Sequence, residues 1–201
     1  MKRVLVILPH AFEVFEAAAF IDVLGWANHY GDSPIKTVTA GVSAEISCTF
    51  GVLQAQPDLL LTEVDAADFD AVAIPGGFEV HGFFEEAYSE IVLQTLRDFD
   101  GNNKPVASIC VGALPLGKSG ILNGKKATTY HLMDGRRRKQ LAEFGADVVD
   151  APIVIDENKI TSTSPATAID VALMLVAKLT TQANADQIRQ LMGFQCDPTA
   201  G

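Results

Sequence analysis

Short apolar runs alternate with amphipathic stretches along this chain. Val4-Leu5-Val6-Ile7-Leu8 is rich in β-branched residues and has no polar position, the pattern of a strand buried on both faces. From about Glu13 to His29, Phe20, Val23, Leu24 and Ala27 recur at spacings of three and four, which predicts a helix with an inward stripe. Further strands are predicted at Ile35 to Ala40, Ala71 to Ile74, Pro105 to Cys110, Lys126 to Thr129, Ile153 to Ile155 and Lys159 to Thr163. Helices are predicted at Glu85 to Phe99, Val111 to Lys118, Leu132 to Phe144, around the stripe Ile169, Ala172, Leu173 and Val176, and at Gln182 to Met192. The punctuation agrees. Pro75-Gly76-Gly77 closes a strand, Gly120 and Gly145 stand where helices end, and Ser164-Pro165 supplies a capping residue and a first-turn proline.

Strands alternating with helices imply an α/β fold, a mostly parallel sheet with helices on both faces. Ile46 to Gln54 breaks the alternation and reads as a hairpin. No repeat, low-complexity stretch or internal linker divides the chain. It therefore reads as a single domain over 1–195, with 196–201 a loose tail. The 201 residues suffice for one such domain with a sizeable core.

Charge and composition narrow the function. Fifteen basic against 25 acidic residues give a net charge of −10, so the surface repels phosphate backbones and anionic headgroups, and neither nucleic acid nor membrane is an expected partner. Arg136-Arg137-Arg138-Lys139 is a local exception and reads as the solvated face of a helix. The longest apolar run, Val171 to Ala177, falls well short of the roughly 20 residues a bilayer span requires. Near the N-terminus, Pro9, His10 and Glu13 interrupt what would be the apolar core of a signal peptide. Cys48, Cys110 and Cys196 form no paired framework, which fits a reduced, cytoplasmic setting.

In an open parallel sheet, ligands bind beyond the carboxyl ends of the strands. Cys110 closes one predicted strand and opens a helix, with Gly112 two residues on. A thiol on such a turn is exposed to the positive end of the helix, which favours thiolate; the alternative is a small buried hydrophobe. Gly76 and Gly77 allow close backbone approach and inward N–H groups, or form a plain turn. Glu16 lies four residues before Phe20 on the inward stripe, so it titrates abnormally, contacts something specific, or is a partly exposed surface acid. Glu13 suits the helix dipole as a first-turn acid. His131 follows a strand end and reads as an acid/base, a group that orients substrate, a cap or a satisfied polar residue. His10, His29 and His81 have no partner at ligand spacing, and neither GxGxxG nor GxxxxGK[ST] occurs, so no metal or nucleotide cofactor is expected.

Together these pieces resemble the ThiJ/PfpI superfamily, from Arg3 to about Leu179. The matching segments are Val4 to Leu8 leading to Glu13-Val14-Phe15-Glu16, then Ile21-Asp22-Val23-Leu24, Ala73-Ile74-Pro75-Gly76-Gly77 and Ser108-Ile109-Cys110-Val111-Gly112. Ala127-Thr128-Thr129-Tyr130-His131 and Thr161 to Asp170 complete the set. The resemblance implies a flavodoxin-like three-layer sandwich of the class I glutamine amidotransferase kind, working as a homodimer. It makes Cys110 the nucleophile, Glu16 the acid that hydrogen-bonds it, and the N–H groups of Gly76, Gly77 and Val111 oxyanion donors. An ionised Glu16 would repel a thiolate, so the expected pair is a carboxyl with a raised pKa beside a thiol with a lowered one. Some members carry a histidine directly after Thr-Thr, where this chain has Tyr130 and then His131.

Three functions follow as expectations. The first is an enzyme in which Cys110, Glu16 and His131 act on a small electrophile: a 2-oxoaldehyde or glycation adduct, an isonitrile or an amide-like carbon. The second is a redox sensor or stress-protective chaperone in which Cys110 is oxidised. The third is a binding scaffold with an inert cysteine.

Overall fold

The computed structural model describes residues 1–194. Gln195 and the expected tail at 196–201, Cys196 included, lie outside the described residues. The chain runs β1 (Lys2–Ile7), α1 (Val14–Tyr30), β2 (Ile35–Gly41), β3 (Ile46–Ser47), β4 (Gln54–Ala55), β5 (Leu59–Leu60) and β6 (Ala71–Ile74). It continues with α2 (Phe83–Ala87), α3 (Glu90–Gly101), β7 (Val106–Ser108), α4 (Ala113–Ser119), β8 (Lys126–Ala127), α5 (Arg136–Glu143) and β9 (Asp147–Val148). Strands β10 (Ile153–Asp156) and β11 (Lys159–Ser162) and helices α6 (Ala168–Leu179) and α7 (Gln182–Leu191) finish it.

Seven strands form the central sheet in the order β10-β11-β7-β6-β1-β2-β5, parallel throughout except for β10 against β11. Its middle strands carry the continuous apolar runs of the sequence because both faces are covered. Val4 to Ile7 in β1 and all of β6 are shut off from solvent. Helix α1 packs with α6 and α7 in one layer, while α3 packs on α4 and α4 on α5 in the other. This is the flavodoxin-like sandwich. The stripe of α1 (Phe20, Val23, Leu24, Ala27) is fully buried, as its spacing predicts.

The strand order reverses at β1. The chain steps outward from β1 to β2, then returns to lay β6 on β1's other side and β7 beyond it. Connections after β1 and β6 therefore diverge to opposite faces, which opens a crevice at the carboxyl ends of these strands. Ile74 is in register with Ser108, so two residues farther along each strand come Gly76 and Cys110.

Four details depart from the sequence expectations. The helix expected at Glu85 to Phe99 is two helices, because Ser89 is extended and starts α3 afresh. The helix expected from Leu132 begins only at Arg136, since Met133, Asp134 and Gly135 all have left-handed backbone (φ 54°, 66° and 70°). Strands β5 and β9 are two-residue pieces too short to leave a periodic signal. The basic run is not wholly solvated either. Arg137 is buried, paired with Glu79 at 2.7 Å and stacked over the Phe84 ring, while Arg136 and Lys139 face water. The hairpin stands as expected, with β3 antiparallel to β4.

Candidate active site

Cys110 stands where β7 gives way to α4. Ile109 is still extended, but Cys110 has φ +56°, and Gly112 N–H closes the turn on Ile109 C=O at 2.8 Å. A left-handed non-glycine residue costs about 1–3 kcal/mol and persists only where its surroundings fix it. Two contacts do so here. The buried Thr129 hydroxyl donates to Cys110 C=O at 2.8 Å, and Gly112 brings the turn so close to β6 that an added Cβ would lie 2.8 Å from Ile74 O. Thr129 belongs to the Thr-Thr motif, but its sequence neighbours give no sign that its hydroxyl reaches back 19 residues.

Glu16 arrives from α1, completely buried. Gly76 N–H donates to Glu16 Oε2 at 2.6 Å, and Glu13 N–H donates back to Gly76 C=O at 2.8 Å, so the first turn of α1 is tied twice to the end of β6. Only glycine fits between them. A Cβ on Gly76 would stand 2.9 Å from Glu16 Oε2 and 3.1 Å from Val111 N, and one on Gly77 would stand 2.2 Å from Ala11 O. The β1–α1 loop is also fixed from outside. Ala11 is left-handed (φ 57°) and its carbonyl accepts from the buried Thr49 hydroxyl of the hairpin, while Glu86 accepts from His10 N–H at 2.8 Å.

The electrostatics follow from this burial. Glu16 is pushed up to about 8, first by loss of water and then by the charge of Glu13, with Gly76 N–H and Cys110 pulling the other way. It is therefore a neutral acid at pH 7, as the sequence reading requires. The thiol departs from that reading. Burial, and then the negative charge of an ionised Glu16, push Cys110 well above its ordinary value, against the lowering pull of Val111 N–H. Glu16 and Cys110 do not readily ionise together, so the pair is built to hold one negative charge.

The structure thus brings together Cys110, Glu16, Gly76, Gly77 and Val111. Gly76 N–H is committed to Glu16, and Val111 N–H is directed at the thiol. His131 is apart from this group. It is exposed in the loop after Tyr130, with Asp150 as a charged neighbour, and it makes no hydrogen bond to Cys110; Tyr130 packs half-buried against the core. Cys48 is buried in the hairpin. Among the described residues no three metal-ligating side chains converge, and no helix is long and apolar enough to cross a membrane.

A parallel-sheet sandwich with a cysteine on a strained strand-to-helix elbow and a buried carboxyl beside it defines the class of elbow-cysteine α/β proteins. Within that class the chain belongs to the DJ-1/PfpI family, whose profile matches residues 2–178. It is similar to the protein dj-1beta of Drosophila melanogaster, at 32% identity over 93% of this chain and 94% of that protein. The crystal structure of Drosophila DJ-1beta superposes with a TM-score of 0.84 at 30% identity, covering 97% of this chain and 99% of the other. Oxidised DJ-1 from Toxoplasma gondii superposes with a TM-score of 0.83 at 25% identity, over 98% and 100% of the two chains. The DJ-1 homolog A of Arabidopsis thaliana is 28% identical over 98% of this chain, which spans about half (48%) of that longer protein. A shorter match, 37% over 54% of this chain and 61% of the relative, is to a protein of Thermococcus kodakarensis named a deglycase.

Proposed function

We propose that this chain is a cysteine-dependent enzyme that acts on a small electrophile of the 2-oxoaldehyde or glycation-adduct, isonitrile or amide type. One observation carries the reading: a left-handed Cys110 packed against a neutral, buried Glu16. Such strain persists where function requires a fixed side chain. The Cys110 sulfur attacks the polarised carbon and forms an S–C bond. The π electron pair of the carbon–oxygen or carbon–nitrogen bond moves onto the heteroatom. Glu16 supplies a proton at that atom, and the thiol proton replaces the one Glu16 gives. Since Gly76 N–H serves Glu16, charge on the heteroatom falls to the N–H groups of Gly77 and Val111. His131, exposed and without a hydrogen bond to Cys110, has no place in this sequence of steps. The deglycase name of one relative supports the 2-oxoaldehyde branch. The working unit of this reading is a cytoplasmic homodimer with a small molecule as its only partner.

Turnover of a panel of 2-oxoaldehydes, isonitriles and primary amides tests it. Wild type turns over at least one class, Cys110→Ser none, and Glu16→Ala loses at least about a hundredfold, the usual scale of a general acid/base contribution. Wild-type inactivity across the panel with a folded protein overturns the reading.

A second reading has its own support. A neutral Glu16 is a donor that suits the oxygens of a cysteine sulfinate, and one similar solved structure is described as oxidised. Here two equivalents of hydrogen peroxide convert the Cys110 thiol to sulfinic acid and are reduced to water. A gain of two oxygens confined to Cys110, with altered thermal stability and no turnover, would select it.

A further inference from the structure

Beyond the crevice, three aromatic side chains meet at the protein surface. Phe50 lies at the tip of the β3–β4 hairpin, with its ring centroid 5.6 Å from Phe78 and 6.3 Å from His81, and Phe78 and His81 are 6.4 Å apart. Such separations are those of interacting rings, yet Phe50 is 66% and Phe78 39% exposed. The hairpin is not free to wander from the site. Phe12 bridges Cys48 on one side and Gly77 on the other, which lays the turn beside Gly76-Gly77. Phe78 is the next residue, and Gly76 abuts Val111 N, one position past the nucleophile. Two residues of chain reach at most about 7 Å, so the backbone of Phe78 stands within that distance of Gly76, whose own neighbours are Glu16 and Val111.

We infer that Phe50, Phe78 and His81 form an aryl-binding wall beside the crevice, so that the substrate is an electrophile bearing an aromatic ring. This rests on the reading of Cys110 as nucleophile and narrows it. The wall presents ring faces and edges and an imidazole, with no ammonium or carboxylate in the cluster, so it favours a flat neutral group over an anionic or sugar-like one.

The test compares 2-chloroacetamide with its N-phenyl counterpart on the full-length protein. In either reaction the Sγ–C bond forms, chloride leaves with the bonding pair, and the thiol proton passes to solvent. Rates at Cys110 are read by peptide mass spectrometry and divided by those of a free small thiol. The expected result is a phenyl-over-parent preference at Cys110 of about threefold to tenfold, the scale of an aromatic contact. Phe50→Ser and Phe78→Ser reduce the preference towards one, Phe50→Tyr retains it, and Val80→Ser, on the same turn but outside the cluster, leaves it unchanged. A preference of one in wild type, or one that emerges only on dilution as a second copy of the chain covering the rings departs, overturns the wall. Failure of both reagents at Cys110 instead overturns the nucleophile reading on which it rests.

Discussion

The Glu16–Cys110 pair is governed by a single constraint: two groups buried in contact take a second negative charge only at higher pH than either would alone. Glu16 is held neutral up to about 8, and the thiol is pushed above its ordinary value by burial and by any charge on Glu16. Their protons therefore leave in two macroscopic steps that belong to the pair. After the first step the one charge is shared, so only part of the population is thiolate; full thiolate arrives with the second, at higher pH. The rate of Cys110 alkylation by 2-chloroacetamide between pH 6 and 11 should rise in two stages in wild type. It should rise in one stage in Glu16→Gln, which keeps an acceptor for Gly76 N–H but has no proton to lose. A single-stage wild-type profile superimposable on that of the variant would refute the coupling. That Glu16 stands out was legible from its place on an inward stripe; the raised direction followed from the family resemblance, since an ionised carboxyl would repel the thiolate. The direction of the thiol's shift was not, because a helix N-terminus and a strand end say nothing of how completely the sulfur is stripped of water.

Two supporting elements act on this pair from a distance. The β3–β4 hairpin looks peripheral, yet Thr49, buried within it, donates to Ala11 C=O and so fixes the loop that delivers Glu16. Thr49→Val leaves that buried carbonyl unpaired, at a cost of about 1–3 kcal/mol by chemical denaturation. It should also slow Cys110 alkylation, through loosening of the first turn of α1; an unchanged midpoint and rate would show that the bond positions nothing. Farther along, Glu79 joins the turn after Phe78 to α5 through Arg137. The two ends of this bond differ in exposure. Removing Glu79 strands a buried guanidinium, whereas removing Arg137 leaves a half-exposed carboxylate with water and with Arg136, 3.4 Å away. Glu79→Ala should therefore destabilise by on the order of 2 kcal/mol and Arg137→Met by under about 1 kcal/mol, since methionine fills the space over Phe84. The reverse order would show that stacking, not charge, holds Arg137. Neither tie was visible in the sequence: partners 38 and 58 residues apart leave no periodic trace, and a run of four cations looks like a solvated face until one finds its acid. The strand ends and glycines, in contrast, were readable because a parallel sheet gathers its functional loops at one edge.

At the scale of the whole molecule, the reversal of strand order at β1 brings a carboxyl from one connection against a thiol from another, and that placement has a thermodynamic consequence. An unfolded chain ionises Glu16 near its ordinary value of 4.5, whereas the folded protein keeps it neutral to about 8. Between these values the unfolded state binds fewer protons than the folded one at this site, so the contribution of Glu16 to stability falls as pH rises. It falls by up to about 1.4 kcal/mol per pH unit. The contribution is fully present below pH 4.5, is lost progressively across the window, and is constant again above about pH 8, where both states are ionised. Glutamine at this position feels no such pull in either state. Glu16→Gln and wild type should thus have similar melting temperatures near pH 4.5, with the variant gaining steadily to a plateau near pH 8. Carboxylates away from the site cancel in the difference, because both proteins carry them; Glu13 and Cys110, which feel the charge of Glu16, add to it in the same pair of states. A difference between the two melting temperatures that stayed flat from pH 4.5 to 8 would mean that Glu16 ionises freely in the folded state, and with it would go the neutral acid on which the proposed chemistry depends.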